Sequence, residues 1–194
     1  GNSTVTTALT TGAGSTLRVR GSGVGGSPVA TFTNAITNTA TIDLTTQEAG
    51  YGVTLVAPLV SNTATGVINS LAGSGGTRTL TARLDNAGVV NLPYDLTMNA
   101  ASAAHVNSGS ILLTTGDLSI TQSGTTPSFT NTGTIAANTR TVTVAGGLLD
   151  LQTGLVSGFT GRLVTTGTPA VRLLTTTVQP RVTFSAGTIL PDPF

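Results

Sequence analysis

The feature that most constrains this chain is an asparagine that returns at nearly constant steps. "ITNTATIDL" places Asn38, "VSNTATGVI" Asn62, "LDNAGVVNL" Asn86, "HVNSGSILL" Asn107 and "FTNTGTI" Asn131. The steps are 24, 24, 21 and 24 residues. A period of this length marks an array of similar units, each unable to bury its apolar face alone. Weaker echoes extend the series. Gly14 in "GAGSTLRV" lies 24 residues before Asn38, Gly161 in "GFTGRLV" lies 30 after Asn131, and Ser185 in "TFSAGTI" lies 24 further on. Eight anchors then tile nearly the whole chain.

Within each unit the apolar positions alternate. Ala40, Ile42 and Leu44, then Gly88, Val90 and Leu92, Gly109, Ile111 and Leu113, and Gly133, Ile135 and Ala137 fall two, four and six residues after an anchor. The residues between them are mostly hydroxylated, as in Thr39/Thr41, Ser108/Ser110 and Thr132/Thr134. Period-2 alternation of this kind is a strand with one face in and one face out. Further alternating stretches follow or precede the anchors, such as "DLSI" (117–120), "RTVTV" (140–144) and "TLVAPLV" (54–60). Composition agrees: 41 of the 194 residues are Thr and 25 are Gly, suited to pleated sheet and tight turns. No stretch carries the 3–4 spacing of an amphipathic helix. Two or three short strands per unit describe an all-β, parallel β-helix (β-solenoid) of about eight coils of about 24 residues. Its rod would be roughly 40 Å long at the interstrand spacing of a sheet. A β-sandwich is the alternative, but a sandwich has no reason to repeat an Asn at this step. One solenoid domain is expected over 1–189, with a Pro-rich tail or linker stub over 190–194 ("LPDPF"). Neither end reads as a cap, which predicts a segment of a longer chain or a subunit that stacks.

The anchor itself is read as structural. Asn tolerates left-handed backbone at a corner, and its amide can bond the amide of the next coil. Asn38, Asn62, Asn86, Asn107 and Asn131 are therefore expected in one column.

Charge and cysteine content narrow the chemistry. Only 8% of residues are charged, with eight Arg and no Lys, giving a net charge of +1. Cations this sparse do not build a nucleic-acid groove. With no Cys there is neither a disulfide nor a thiolate metal site. No apolar run is long enough to span a membrane as a helix. Hydrophobic residues make up 38%, enough for a folded chain rather than a disordered one.

Candidate chemistry is thin. Asp95 and Asp117 fall 9 and 10 residues after their anchors, on successive coils, with Glu48 at 10 and Arg140 at 9. Two carboxylates so placed could serve glycoside hydrolysis. A surface ladder Asp95–Asp117–Arg140 is the simpler reading. Outward Thr/Ser pairs at Thr39/Thr41, Thr63/Thr65, Ser108/Ser110 and Thr132/Thr134 form a polar face suited to ice or carbohydrate, although Ala87, Val89 and Arg162 interrupt it. Gly21, Gly23 and Gly26 match a GxGxxG pattern, but "SPVATFTN" after them is no helix. His105, the one histidine, is assigned a surface or turn position. Phe129, Phe159 and Phe184 each precede an anchor and suggest an internal aromatic stack. No catalytic, cofactor or metal-binding residue is assigned, and no enzyme activity is expected.

The repeats "NTGTI" (131–135), "NSGSI" (107–111) and "NTATI" (38–42), with "TLTV"-like strands and Gly-rich turns, resemble those of bacterial autotransporter passengers and filamentous-haemagglutinin-like adhesins. That resemblance implies a right-handed β-helix displayed outside a bacterial cell, with the translocating barrel elsewhere. The function expected is a non-catalytic, structural or adhesive extracellular module. Its partners would be other copies of itself, stacked end to end, or a host or neighbouring cell surface or glycan.

Overall fold

The computed structural model describes residues 1–173, 177–184 and 187–190. Among the described residues there are 24 strands and no helix. The named strands pair in parallel, each with the equivalent strand one coil away. The molecule is a β-solenoid with three faces. The first face runs from Ser3–Val5 and Val29–Phe32 through Leu96–Met98 and Thr141–Ala145 to Arg181–Phe184. The second runs from Leu9–Thr11 and Ile36–Asn38 through Ala104–Asn107 and Ser128–Asn131 to Thr188–Leu190. In two coils the first and second faces are one bent strand, Val53–Asn62 and Arg78–Asn86, and this joins them into a single 16-stranded sheet. The third face is a separate 8-stranded sheet from Thr16–Gly21 to Thr177–Val178. Eight strands make seven steps, so the rod has about seven turns, slightly fewer than eight anchors imply. At about 4.8 Å per step it is roughly 34 Å long.

Alternation in the sequence becomes columns in the core. On the third face Ile42, Ile68, Val90, Ile111 and Ile135 lie in register and are all buried. On the first face Leu55, Leu80, Met98, Ile120 and Val144 do the same. The second contributes Ile36, Val60, Leu84, His105, Phe129, Leu149 and Val171. One apolar cluster runs the whole way, from Val19 to Val171. Each coil thus buries its side chains only against the coils beside it, as stacking repeats require. Pro58 stands where the register shifts between Val56 and Leu59, a corner at which its missing N–H costs no ladder bond.

Two anchors read from the sequence fall elsewhere. Thr11, not Gly14, stands opposite Asn38. Beyond Asn131 the pairing of Thr130 with Asp150 brings Leu151 to the anchor position. Gly161 precedes Arg162, which pairs with Thr141 on the first face, a different corner of the coil. The turns vary in length while the strands stay in register, so a fixed step from the last Asn overshoots. Ser185 and residues 191–194 lie outside the described residues, and Leu190 closes a strand rather than opening the tail.

Ile111→Ala should cost about 2–5 kcal/mol in urea unfolding, because the site is packed between Val90 and Ile135 and cannot collapse. A cost below about 1 kcal/mol would mean that the third face is not a closed core wall.

Candidate functional site: a buried amide ladder and the outer faces

The five asparagines form one column at the corner between the second and third faces, each no more than 1% exposed. Nδ2 of Asn38 donates to Oδ1 of Asn62 at 2.7 Å, and Asn62→Asn86, Asn86→Asn107 and Asn107→Asn131 repeat the bond at 2.7 Å. At the first coil the Thr11 hydroxyl donates to Oδ1 of Asn38 at 2.7 Å and starts the chain. The second hydrogen of each amide goes to a backbone carbonyl. Asn38 donates to Val67 O at 3.1 Å, Asn86 to Ser110 O at 3.2 Å and Asn107 to Thr134 O at 3.2 Å. The amides of Asn38, Asn62, Asn86 and Asn107 thereby have partners for both hydrogens, Asn131 Nδ2 donates to Gly133 O at 3.3 Å, and a chain of such bonds polarises itself. The ladder is the stacked column expected. Its backbone is not left-handed, however. Among the described residues the positive-φ residues other than glycine are Ser102, Thr126, Asn138 and Gln152, and the five asparagines are strand residues. They are placed at the corner by their side-chain bonds and not by a special φ.

Glycine completes the corner. A Cβ on Gly66 would sit 2.3 Å from Asn62 Oδ1, and one on Gly88 or Gly109 2.2 Å from the glycine carbonyl of the coil before. Gly133 and Gly154 are equally confined, at 2.2 Å from Gly109 O and 2.1 Å from Asn131 Nδ2. Contacts under 3.0 Å leave room for hydrogen alone. This is why the repeat reads N-x-G at Asn86, Asn107 and Asn131, while Asn62 has its glycine four residues on and Asn38 is followed by Ala40.

The proposed polar face is rearranged. Half of it turns back to the ladder corner: the Thr63, Ser108 and Thr132 hydroxyls donate to the carbonyls of Asn38, Asn86 and Asn107 at 3.0, 3.2 and 3.5 Å, and Thr39 donates to Thr11 O. Thr65 bonds Thr39 O at 3.0 Å and falls outside the column. The true column is Thr16, Thr41, Val67, Val89, Ser110, Thr134 and Leu155. Two extra residues between Asn62 and Val67 displace Thr65 from the register of Thr41. On the first face, by contrast, Thr54, Thr79, Thr97, Ser119 and Thr143 are consecutive partners.

The carboxylates bind coil to coil. Asp95 Oδ1 accepts the N–H of Asp117 at 2.8 Å, and Asp117 Oδ1 accepts that of Thr141 at 2.9 Å. Arg140 Nε lies 2.9 Å from the same Asp117 oxygen. The Asp–Asp–Arg row is therefore the ladder reading, with backbone donors added. Glu48 lies on the 47–50 turn and is exposed. A second ladder escaped the sequence reading. On the third face Arg18 reaches Asp43 at 2.8 Å, Asn69 Nδ2 donates to Asp43 Oδ1 at 2.9 Å, and Asn91 Nδ2 donates to Asn69 Oδ1 at 3.1 Å. Only the unequal spacing of Arg18, Asp43, Asn69 and Asn91 in the sequence hides it.

Two other expectations change. His105 is 1% exposed, not a surface residue; its Nδ1 accepts the N–H of Leu84 at 3.0 Å. Burial holds its pKa at about 4, against a smaller upward pull from Asp85. The aromatic stack does not form. Phe129 is buried at 1% exposure, but Phe159 is 80% exposed and Phe184 42%, because register gives Phe129 the partners His105 and Leu149. Arg78 is the largest fully buried side chain. Its guanidinium donates to the carbonyls of Leu71, Ala72 and Gly75 at 2.5–2.9 Å and lies 4.6 Å over the Tyr94 ring. Burial lowers its pKa, and Tyr94 opposes the shift. This arginine holds the 71–77 turn from inside. Gly23 and Gly26 lie in a tight turn closed by the Ser22–Gly26 bridge, with Gly21 ending the strand before it and another strand following.

Comparison of the chain with protein-family models, with curated proteins and with solved structures returns no match.

Asn86→Ala should destabilise the rod by about 2–5 kcal/mol, since it strands the Nδ2 of Asn62 and the Oδ1 of Asn107 in a dry interior. Asn91→Ala, at the end of the outer ladder, should change stability by under about 1 kcal/mol. Equal effects in denaturant titrations would show that the inner amides carry no special weight. Arg78→Lys should lose at least about 1 kcal/mol despite keeping the charge, because one ammonium cannot span the carbonyls that the planar fork reaches. Full retention of stability would refute that role.

Proposed function

We propose that the chain is a non-catalytic structural module, a stiff rod that extends, stacks or presents its turns in an extracellular, surface-displayed bacterial protein. The observation that carries this reading is where the polar side chains are spent. The Asn column and Asp43, Asp95, Asp117 and Asp150 all bond groups on a neighbouring coil. These four carboxylates and the five amides are therefore committed to cohesion along the axis. The likeness of the "NxGTI" repeats to adhesin passengers points to display outside a cell.

Growth along the axis is part of the proposal. Among the described residues the strands of the first coil, Ser3–Val5, Leu9–Thr11 and Thr16–Gly21, each pair on one side only. Edges of this kind are templates for further strands. Electron microscopy of the purified chain at rising concentration should show linear particles that lengthen by end-to-end addition. Isolated particles at every concentration remove the stacking part. A glycan-cleaving activity abolished by Asp95→Asn with Asp117→Asn removes the non-catalytic part.

A second reading has one specific observation behind it. The first face carries Thr54, Thr79, Thr97, Ser119 and Thr143 on successive coils, with Thr81 and Thr121 two residues on from Thr79 and Ser119. Hydroxyls then repeat at about 4.8 Å along the rod in the first column, with Thr81 and Thr121 about 6.7 Å across from it on two of the coils. Such a flat, uncharged array suits ice or an ordered glycan. Inhibition of ice recrystallisation that Thr97→Lys abolishes supports the ice form of this reading, and no inhibition at micromolar protein removes it.

A further inference from the structure

We propose that His105 is an acid-sensitive latch within the rod, joining the coil of Asn86 to the coil of Asn107, and that its protonation opens this junction. In the core column of the second face, His105 lies between Leu84 and Phe129, with Ile36, Val60, Leu149 and Val171 further along. It is the polar member of an otherwise aliphatic and aromatic row. Its Nδ1 accepts the Leu84 backbone N–H at 3.0 Å, where a strand would ordinarily offer a carbonyl. Its Nε2 is buried without a hydrogen-bond partner among the described residues. Accepting at Nδ1 fixes the neutral ring with its proton on Nε2.

Protonation changes the sign of this contact. Both ring nitrogens become donors, so Nδ1–H meets the Leu84 N–H head on, and a cation sits where water cannot reach it. The groups around the ring offer little compensation. The strand beneath carries Arg83 and Asp85, already paired with each other at 2.7 Å, and Arg78, which is committed to the 71–77 turn. The strand above, Ser128–Asn131, and His105's own strand, Ala104–Asn107, hold no other ionisable side chain. Asp85 favours the cation, Arg83 opposes it, and burial outweighs both.

The junction is also the least paired of its face. The step from Asn86 to Asn107 is 21 residues, the shortest in the Asn series. Ala104–Asn107 pairs with the coil before it only through Val106 with Asp85 and Asn107 with Asn86, whereas all four of its residues pair with Ser128–Asn131 on the other side. The histidine bond therefore replaces a backbone bond at the place with fewest to spare.

The sign follows from the two protonation states. The folded ring titrates at about 4 and an unfolded one at about 6.5, so the unfolded chain binds more protons between these values. Stability falls as pH drops from 6.5 towards 4 and levels off below. The latch adds up to roughly 300-fold to the unfolding equilibrium constant over that window.

Because the chain has one histidine, NMR of its ring reports the titration directly. The ring should titrate near 4, and a midpoint near 6.5 overturns the proposal. Denaturant unfolding from pH 7.5 to 4 should show a much steeper loss for the native chain than for His105→Gln or His105→Leu, whatever the absolute stability of either variant. Parallel pH profiles overturn it. Amide exchange at pH 4.5, corrected for intrinsic rates, should rise first at Leu84 and residues 104–107. A rise spread evenly along the rod would show acid unfolding without a latch.

Discussion

The constraint on which the rest depends is that a buried amide cannot be left without partners. An Asn in a dry corner costs several kcal/mol unless its oxygen and both N–H groups are met. A single copy cannot meet them. Stacking copies can, because each amide then accepts from one neighbour and donates to the other. Once that column is set, the coils must align at the corner to within the tolerance of a hydrogen bond. The strands on either side inherit the alignment, and their alternating side chains fall into columns. The close approach at the corner in turn excludes a Cβ, which accounts for Gly66, Gly88, Gly109 and Gly133. Repeat, glycine spacing and core order are thus consequences of one polar requirement.

This arrangement divides the labour between corner and turns. The corner between the second and third faces repeats most closely at Asn86, Asn107 and Asn131, whereas the turns between the third face and the next coil differ in length and content. The 71–77 turn is held by Arg78 from within, the 93–95 and 114–117 turns by Asp95 and Asp117 reaching the next coil. Charged residues are few, and Arg18, Asp43, Arg78, Asp95, Asp117, Arg140, Asp150 and Arg172 each face a partner on an adjacent coil or in the same turn. A rod built this way resists bending through bonds parallel to its axis.

Much of this was legible in the sequence because the corner is local. At Asn86, Asn107 and Asn131 the glycine two residues on and the apolar residues at four and six all lie within seven residues, so a motif could be read without knowing the fold. What was not legible depends on turn length. Thr65 looks equivalent to Thr41, but the corner after Asn62 is two residues longer, and Val67 takes the place instead. Gly161 looked like an anchor, although the seventh corner had already passed at Leu151. Leu cannot continue an amide ladder, so the signal disappeared where the sequence reading most needed it. His105 and Phe159 failed for a related reason. Residue type suggested the surface for one and the core for the other, while register alone decides which column each enters.

The central claim is that five asparagine amides form one closed, water-free column. Hydrogen exchange of side-chain amides, followed by NMR on uniformly labelled protein in D2O, tests it directly. The Nδ2 hydrogens of Asn38, Asn62, Asn86 and Asn107, each bonded to the next coil, should persist far longer than those of exposed Asn2 and Asn34, and Asn131 should be protected by its burial. Loss of all of them at the rate of Asn2 would contradict the ladder and the register built upon it.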